Sequence, residues 1–396
     1  MDKKIKIIKI AHCSHSYFLG EGEEDLKKLV LNDWYSKFSK QIKEYSPEIE
    51  IECWAPEKLE KKETEFYESG VKFRFFPTAF SPLYALDFSP AMLRELKKEI
   101  KKSKKEKYKL IIHIHEVHNL HGLLILTLFN KENFVVQHHG GSWPLKHLKQ
   151  TQRYQRFSLF FFLAQLWENL VLKNVDNFFV LSKEEMNYLK KVAPNSKVRF
   201  QTMGIENIYF EDVEKKIARK KLNLNQKKKI VLFLGRINET KGLRYLIDAM
   251  EKLKKEDIEL KIGGFGKEQK KFEDYAKSKN LNNIEFLGGI FGEKKLLYLS
   301  SADVLVLPSL KEGAPVVIME ALAKNVPVVS TNVGGVSLMI KDKREGVLIK
   351  TENSDDIVKG IKEVLKWKNK NIKKYAERYQ WKKIIEDTIK DYKNFD

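Results

Sequence analysis

Short apolar and β-branched runs alternate with helical patterns along the whole chain, and this alternation is the feature that most constrains its fold. It predicts a mostly parallel, doubly wound α/β structure. With 396 residues, the chain is long enough for two such domains. The predicted strands are Ile5–Ile10, Leu110–Ile114, Phe134–Gln137, Phe178–Leu181 and Val198–Gln201 in the first half, and Ile230–Leu234, Leu260–Gly263, Ile284–Leu287, Val304–Leu307, Val326–Ser330 and Val347–Ile349 in the second.

The boundary between the domains is expected at the start of Glu211–Lys229, a stretch rich in Lys and Asn without a strand pattern. This division gives an N-terminal domain at residues 1–210 and a second domain at 211–375. The final segment, 376–396, is expected to form a helix that packs back on the N-terminal domain.

Composition and charge limit the environment and the partners. Only two cysteines occur, Cys13 and Cys53, which favours a reducing, cytoplasmic compartment. No secretory signal is visible, and no apolar run approaches the ~18 residues of a membrane span. The net charge is +20, and residues 101–205 carry 17 basic and 7 acidic side chains. This excess indicates an anionic partner, namely nucleic acid, an acidic membrane or a phosphorylated substrate. A lysine-rich surface that only solubilises the protein is the alternative.

A pair of cations follows the first strand of the second half. Gly235-Arg236 comes directly after that strand, and Lys241-Gly242 opens the next predicted helix. Unpaired amides and the helix dipole favour an anion at a helix N-terminus. Arg236 can bind it through two parallel hydrogen bonds, and Lys241 adds a point charge. The pair indicates a diphosphate site at the C-terminal edge of a parallel sheet, whereas a solvated turn with ordinary surface cations is the alternative.

The segment Ser309–Ala323, SLKEGAPVVIMEALA, follows a later predicted strand and has Pro315 at a suitable first helical position. From Val316 onward the helix is apolar on every face apart from Glu320, so it is expected to be buried. A buried carboxylate needs hydrogen-bond donors. Vicinal sugar hydroxyls are well suited, and a neighbouring lysine or backbone amides are the alternative. Glu312 lies at the helix mouth, where it can accept hydrogen bonds from a sugar.

These elements together make the second half resemble the nucleotide-sugar-binding domain of retaining glycosyltransferases of family 4 (glycosyl transferases group 1), which have the GT-B fold. The family's E-x7-E element stands here as Glu312 to Glu320, and its G-R-x4-K-G element as Gly235 to Gly242. FLG and TNVGG match in order and spacing, at Phe286–Gly288 and Thr331–Gly335. The resemblance implies two Rossmann-like, doubly wound domains that face each other across a cleft.

The resemblance also assigns roles. It implies that Arg236 and Lys241 bind the diphosphate and that Glu312 binds the transferred sugar. Glu320 would bind the ribose, and the backbone near Leu287 the base. The turn into the helix would complete the donor site with Gly313, Ala314, Pro315 and Val316. No cofactor is implied, because the nucleotide-sugar is a co-substrate.

The first half resembles the family more loosely. In VVQHHGG, Val135–Gly141, His139 matches the family's histidine beside the donor sugar, and a structural turn is the alternative. His115 matches a strand-end H-x-H element and is expected on the acceptor side with Gly20 and Gly22. These single glycines stand where relatives usually have a Gly-Gly pair.

The segment IIHIHEVHNLHG is dense in potential metal ligands, above all His118, His121 and Glu116. However, no D-x-D sequence occurs, and GT-B enzymes generally neutralise the leaving phosphates without a metal. We therefore expect no metal.

The sequence thus predicts a metal-independent, retaining glycosyltransferase of hexosyltransferase type. A UDP-sugar is favoured over a GDP-sugar as donor, and the acceptor would be a hydroxyl of a lipid-linked or cell-surface glycan precursor. A nucleotide-sugar epimerase of the same fold is one alternative. A basic, non-enzymatic nucleic-acid binder is another, although no aromatic-interleaved basic motif is present. A nicotinamide dehydrogenase is disfavoured, because Ile5–Ile10 is not followed by G-x-G-x-x-G.

The aromatic stretch Phe157–Leu170, FSLFFFLAQLWENL, lies within the basic part of the chain. It predicts either an ordinary core helix or a peripheral contact with an anionic cytoplasmic membrane face, through which the protein would reach a lipid-linked acceptor.

Overall fold

The computed structural model describes residues 4–11, 26–79, 87–138, 158–367 and 371–394, with the backbone alone at 158–161. Two compact units are present. The N-terminal unit comprises Met1–Met203 with Ile384–Asp396, and the C-terminal unit comprises Gly204–Lys383. Each unit is a largely parallel sheet flanked by helices, which confirms the predicted α/β fold of two Rossmann-like domains.

The N-terminal unit contains an eight-stranded sheet in the order β3-β4-β2-β1-β5-β6-β7-β8. Every neighbouring pair is parallel except β3 with β4. The strands are β1 Ile5–Ile10, β2 Glu50–Glu57, β3 Thr64–Glu68, β4 Val71–Pro77, β5 Lys109–His115, β6 Asn133–Gln137, β7 Asn177–Val180 and β8 Lys197–Phe200. The helices are α1 Leu26–Asn32, α2 Trp34–Tyr45, α3 Pro90–Glu106, α4 Leu120–Leu128, α5 Ser158–Leu172 and α6 Lys183–Val192.

The core of this unit forms around the central strands β1 and β5. Ile8, Trp54 and Ile112 are fully buried there, as expected for parallel strands covered on both faces. Helix α3 begins where the Ser89 hydroxyl accepts a hydrogen bond from the Met92 amide at 3.3 Å, and proline occupies its first position.

The C-terminal unit contains a six-stranded, wholly parallel sheet in the order β11-β10-β9-β12-β13-β14. The strands are β9 Lys229–Leu234, β10 Ile258–Gly263, β11 Ile284–Gly288, β12 Val304–Leu307, β13 Val328–Thr331 and β14 Gly346–Ile349. The helices are α7 Lys215–Lys221, α8 Leu243–Lys252, α9 Gln269–Ser278, α10 Gly292–Ser301, α11 Val316–Ala323, α12 Val336–Met339, α13 Ser354–Leu365 and α14 Lys373–Ala376, with short 3-10 helices at Asn207–Phe210, Glu239–Lys241 and Glu377–Tyr379.

The last helix, α15 (Trp381–Lys393), returns to the N-terminal unit over most of its length. The Tyr392 hydroxyl lies 2.6 Å from Nδ1 of His113 in β5. Asp391 pairs with Arg199 of β8 at 2.6 Å. These contacts fix the helix against the eight-stranded sheet.

Candidate functional site

Strands β9 and β12 lie side by side in the centre of the six-stranded sheet, and the strand order reverses between them. In such sheets the loops at the carboxyl ends of the two central strands diverge and leave a crevice that binds ligands. The loop after β9 contains Gly235 and Arg236, and the loop after β12 contains Glu312. The predicted donor-site residues therefore lie on the two loops that this topology favours.

The loop after β9 forms the 3-10 turn Glu239–Lys241 before α8 begins. Gly242 joins the two with a left-handed backbone, φ 65°, and a Cβ atom there would overlap the carbonyl oxygen of Pro308. Glycine is required on both counts. The Leu310 N–H donates to the Thr240 carbonyl at 2.7 Å, so the loops after β9 and β12 are held together.

The carboxylate of Glu312 is the point where the two loops meet. Its Oε1 atom accepts hydrogen bonds from Lys241 Nζ and from the Ser309 hydroxyl, both at 2.6 Å. The Glu312 side chain is 7% exposed and that of Lys241 is 20% exposed, so the charge-assisted contact is only partly screened by water. This contact joins Glu312, predicted to bind the sugar, to Lys241, predicted to bind the diphosphate.

The TNVGG segment supports this arrangement from the neighbouring strand. Gly334 has φ 57°, and a Cβ atom there would overlap the carbonyl oxygen of Glu312. The Gly335 N–H donates to the Gly313 carbonyl at 2.7 Å, and the Thr331 hydroxyl donates to the Ser309 carbonyl at 2.5 Å. The matched TNVGG element thus holds the backbone that carries Glu312.

Helix α11 is buried, as its apolar sequence predicts, and Glu320 is 4% exposed. Pro315 stands one residue earlier than predicted, as the N-cap. The Glu320 carboxylate accepts a hydrogen bond from Lys295 Nζ at 2.6 Å. Burial raises the pKa of Tyr209, and the adjacent Glu320 charge raises it further. Glu320 is thus bound by a neighbouring lysine, Lys295, which was the alternative to sugar hydroxyls in the prediction from the sequence.

One cavity of about 620 Å³ collects most of these groups. Of the predicted residues, Arg236, Lys241, Glu312, Pro315 and Val316 line it, and Arg236 is exposed to solvent. Leu287, Gly313, Ala314 and Glu320 are not among the lining residues, although Lys295, the partner of Glu320, is. The lining residues that were not assigned to the site from the sequence are Leu234, Asn238, Thr240, Gly263, Gly264, Phe265, Ile290, Phe291, Lys295, Leu307 and Val317.

The third contributing loop follows β10, which ends at Gly263, and begins with Gly264. Gly264 has φ 143°, and a Cβ atom there would overlap the carbonyl oxygen of Gly235. Only glycine permits this close approach of the loops after β9 and β10. The sequence signal was available, because GGFG begins at the last residue of the predicted strand Leu260–Gly263, and a glycine cluster at a strand end often marks close contact between backbones.

Two aromatic side chains stand at the cavity in unusually exposed positions. Phe265 and Phe291 are 62% and 69% exposed, and their ring centroids lie 6.3 Å apart at an interplanar angle of 52°. Exposed large apolar rings beside a polar pocket are typical of a binding surface. Phe291 follows the FLG element by only three residues, which was the one signal that pointed to it.

Of the residues predicted in the first half, His139, Gly20 and Gly22 lie outside the described residues. His115 lies at the end of β5 and is 3% exposed. Its ring stacks on His113 with centroids 4.5 Å apart and lies 5.8 Å from the ring of Tyr35. His121 is also buried, which lowers its pKa to about 4.

Helix α5 covers most of the predicted aromatic stretch and has two different faces. Glu168, Val171 and Leu172 are buried, whereas Phe162, Leu163, Leu166 and Leu170 are between 44% and 62% exposed. Among the described residues, no helix has both the length and the apolar character needed to cross a bilayer.

Residues 214–379 match the sequence model of the family described as Glycosyl transferases group 1. This segment is thus similar to the glycosyl transferases group 1 family, and it contains the whole lining of the cavity. An uncharacterised glycosyltransferase of Methanocaldococcus jannaschii is 33% identical over 51% of this chain and 55% of that protein. The D-inositol 3-phosphate glycosyltransferase of Mycobacteroides abscessus is 26% identical over 58% of this chain and 54% of that protein. The chain thus spans little more than half the length of these two curated relatives.

Solved structures extend the likeness to nearly the full chain. Sucrose-phosphate synthase from Thermosynechococcus elongatus has a TM-score of 0.66 at 20% identity, over 98% of each chain. Anabaena HepE in complex with UDP has a TM-score of 0.66 at 15% identity, over 98% of this chain and 100% of that one. At these identities the likeness defines the fold, which is the GT-B fold of glycosyltransferases.

Proposed function

We propose that the protein is a retaining glycosyltransferase of family 4 that moves a sugar from a nucleotide-sugar to a hydroxyl acceptor. The observation that carries the proposal is the convergence of Arg236, Lys241 and Glu312 on one cavity where the strand order reverses. Two cations suit a diphosphate, and a fixed carboxylate suits sugar hydroxyls. A UDP-sugar is favoured as donor, and the UDP complex of the structurally similar Anabaena HepE supports this choice.

The cavity supplies what the chemical step requires. As the bond between the anomeric carbon and the diphosphate oxygen breaks, positive charge develops on the sugar and negative charge on the leaving phosphate. Arg236 and Lys241 stabilise that phosphate charge, so no metal is needed for this role. The acceptor oxygen then bonds to the anomeric carbon on the same face, and its proton passes to the leaving phosphate. Glu312 is proposed to hold the hydroxyls of the donor sugar.

Product analysis tests the reaction and separates it from epimerisation. The full chain is incubated with UDP- and GDP-sugars, alone and with a panel of sugar and lipid-linked acceptors. We expect rapid nucleoside diphosphate release only with a suitable acceptor, and a product that retains the donor's anomeric configuration by NMR. Conversion of the donor to another nucleotide-sugar without acceptor would establish the epimerase, and an inverted product would rule out the retaining mechanism.

The two exposed rings are proposed to hold the nucleotide base. Stacking of a base on an aromatic side chain contributes about 1–3 kcal/mol. We therefore expect Phe265→Ala and Phe291→Ala each to weaken UDP binding by about 5- to 150-fold, measured by calorimetry. Ile217→Ala is the control, because Ile217 is a 50% exposed apolar residue of the same unit that does not line the cavity. Unchanged affinity in both phenylalanine variants would exclude base stacking here.

We further propose that the exposed face of α5 contacts an anionic membrane, which would bring the enzyme to a lipid-linked acceptor on the cytoplasmic side. Burial of one leucine side chain in an apolar phase is worth about 1.5–3 kcal/mol. Leu163→Asn and Leu166→Asn are therefore each expected to reduce sedimentation with anionic phospholipid vesicles by at least about tenfold. Leu59→Asn is the control, since Leu59 is 61% exposed in the same unit but lies outside α5. Equal sedimentation of all three variants would refute the membrane contact.

A further inference from the structure

A cluster of histidine and glutamate side chains lies at the carboxyl ends of β5 and β6, in the N-terminal unit. Glu116 follows β5 directly, His118 comes two residues later, and His138 follows β6 directly. The two strand ends are tied together, because the Glu116 N–H donates to the Gln137 carbonyl at 2.8 Å. Glu116 also adopts a left-handed backbone with φ 65°, which is uncommon for a residue with a Cβ atom and often marks a functional position.

The three side chains place one ligand atom each within a small volume. His138 Nδ1 lies 3.1 Å from Glu116 Oε1, and His118 Nε2 lies 3.5 Å from the same oxygen. All three atoms lie within 4.8 Å of one another. Around a tetrahedral ion with bonds of about 2.0–2.1 Å, neighbouring ligand atoms are about 3.3 Å apart. Both measured separations fit that spacing.

A second carboxylate orients one of the histidines. Glu168 of α5 is fully buried, and its Oε2 atom lies 2.9 Å from His118 Nδ1. With the proton on Nδ1 donated to Glu168, the lone pair of Nε2 is directed toward Glu116. A carboxylate that holds the outer nitrogen of a ligating histidine is the usual support of protein metal sites.

The charge of the cluster also favours a cation. Two carboxylates, Glu116 and Glu168, contribute negative charge to this largely buried group, where water screens little.

We propose that Glu116, His118 and His138 bind one divalent transition-metal ion, with zinc as the best match to two imidazoles and a carboxylate. The ion joins the loops after β5 and β6 and, through Glu168, helix α5. Three protein ligands leave a fourth position for water or a substrate oxygen. The proposal departs from the expectation of a metal-free protein drawn from the sequence, and it is independent of the proposed sugar transfer. His121, a suspected ligand in the sequence, is not part of the cluster.

Zinc titration of the metal-stripped full chain tests the proposal. We expect one high-affinity zinc ion per chain by calorimetry, and a rise in melting temperature on addition of zinc. His118→Ala and His138→Ala are expected to weaken zinc binding at least 100-fold, and Glu168→Gln by about 10- to 100-fold. His121→Asn is the matched control, a buried histidine from the same segment, and should bind zinc as the unaltered chain does.

A conservative variant and a spectroscopic measurement distinguish loss of zinc binding from loss of folding. Glu116→Gln keeps the size of the side chain but weakens the ligand, and circular dichroism confirms that each variant retains its secondary structure. Cobalt bound to the unaltered chain should show the intense visible absorption of four-coordinate Co²⁺. The proposal is overturned if the unaltered chain binds no stoichiometric zinc. It is equally overturned if the folded Glu116→Gln and His118→Ala variants bind zinc normally.

Discussion

Replacement of Arg236 or Lys241 by alanine is expected to lower the turnover of sugar transfer by about 100- to 1000-fold, the usual cost of removing one group that stabilises developing charge in a transition state. Both side chains line the cavity at the end of β9. The charge they would stabilise forms on the leaving diphosphate, so the loss should appear mainly in kcat with saturating donor.

Lys270→Ala provides the control for the loss of one positive charge. Lys270 belongs to the same unit, and its ammonium pairs with Asp274 on the surface of α9 at 2.6 Å. Its variant should transfer sugar at the normal rate. Near-normal turnover of both Arg236→Ala and Lys241→Ala would instead show that this loop does not bind the diphosphate.

The largest expected effect on stability comes from Lys9 in β1. Its side chain is fully buried, its Nζ atom lies 4.3 Å from the ring centre of Phe38, and among the described residues it has no hydrogen-bond acceptor. Burial lowers the pKa of Lys9 to about 7. Lys9→Met should therefore stabilise the protein by roughly 4 kcal/mol at pH 7, because the variant avoids the cost of deprotonating or burying an ammonium.

The stabilisation by Lys9→Met is expected to depend on pH in a direction that follows from the lowered pKa of Lys9. Because the pKa of Lys9 is lower in the folded chain than in the unfolded one, the destabilisation is complete below about pH 7 and fades as the pH rises toward 10.5. The advantage of Lys9→Met in chemical denaturation should accordingly narrow between pH 7 and pH 9. A constant advantage, or a destabilised variant, would contradict the account.

Lys6, three residues earlier in the same strand, is the matched control with the opposite expected sign. Its ammonium is buried but lies 2.7 Å from Glu52 and 2.8 Å from Glu99. Lys6→Met removes the ammonium from both carboxylates and leaves Glu52 paired with the more distant Arg74, 3.7 Å away. Removal of one partner from a buried ion pair typically costs about 3–5 kcal/mol. The two lysine variants together separate an unpaired buried charge from a paired one.

The ion pairs around Lys6 and Glu52 also explain why three strands of the N-terminal sheet were not predicted from the sequence. The predicted strands, Ile5–Ile10 and those from Leu110 onward, are mostly apolar or β-branched, and the structure confirms all of them to within a few residues. β2, β3 and β4 were missed, because glutamates interrupt β2 and charged residues alternate along β3 and β4. Their charges are neutralised across strands, as where Arg74 of β4 lies 3.7 Å from Glu52 of β2. Such long-range pairing leaves no local pattern in the sequence.

Some residues of the candidate site could be predicted from the sequence, and others could not. Arg236, Lys241 and Glu312 were predictable, because strand ends, helix starts and glycines are local signals that topology brings together. Lys295 was not, since its contact with Glu320 depends on how α10 packs beside α11. Phe265 and Phe291 were missed for the related reason that exposure to a cavity is a property of the folded chain.

The most direct test of the central claim is the crystal structure of the chain soaked with a UDP-sugar. The account predicts the diphosphate within hydrogen-bond distance of Arg236 and Lys241, the sugar against Glu312, and the base between Phe265 and Phe291. A donor bound elsewhere on the chain, with Arg236 and Glu312 facing away from it, would contradict the account.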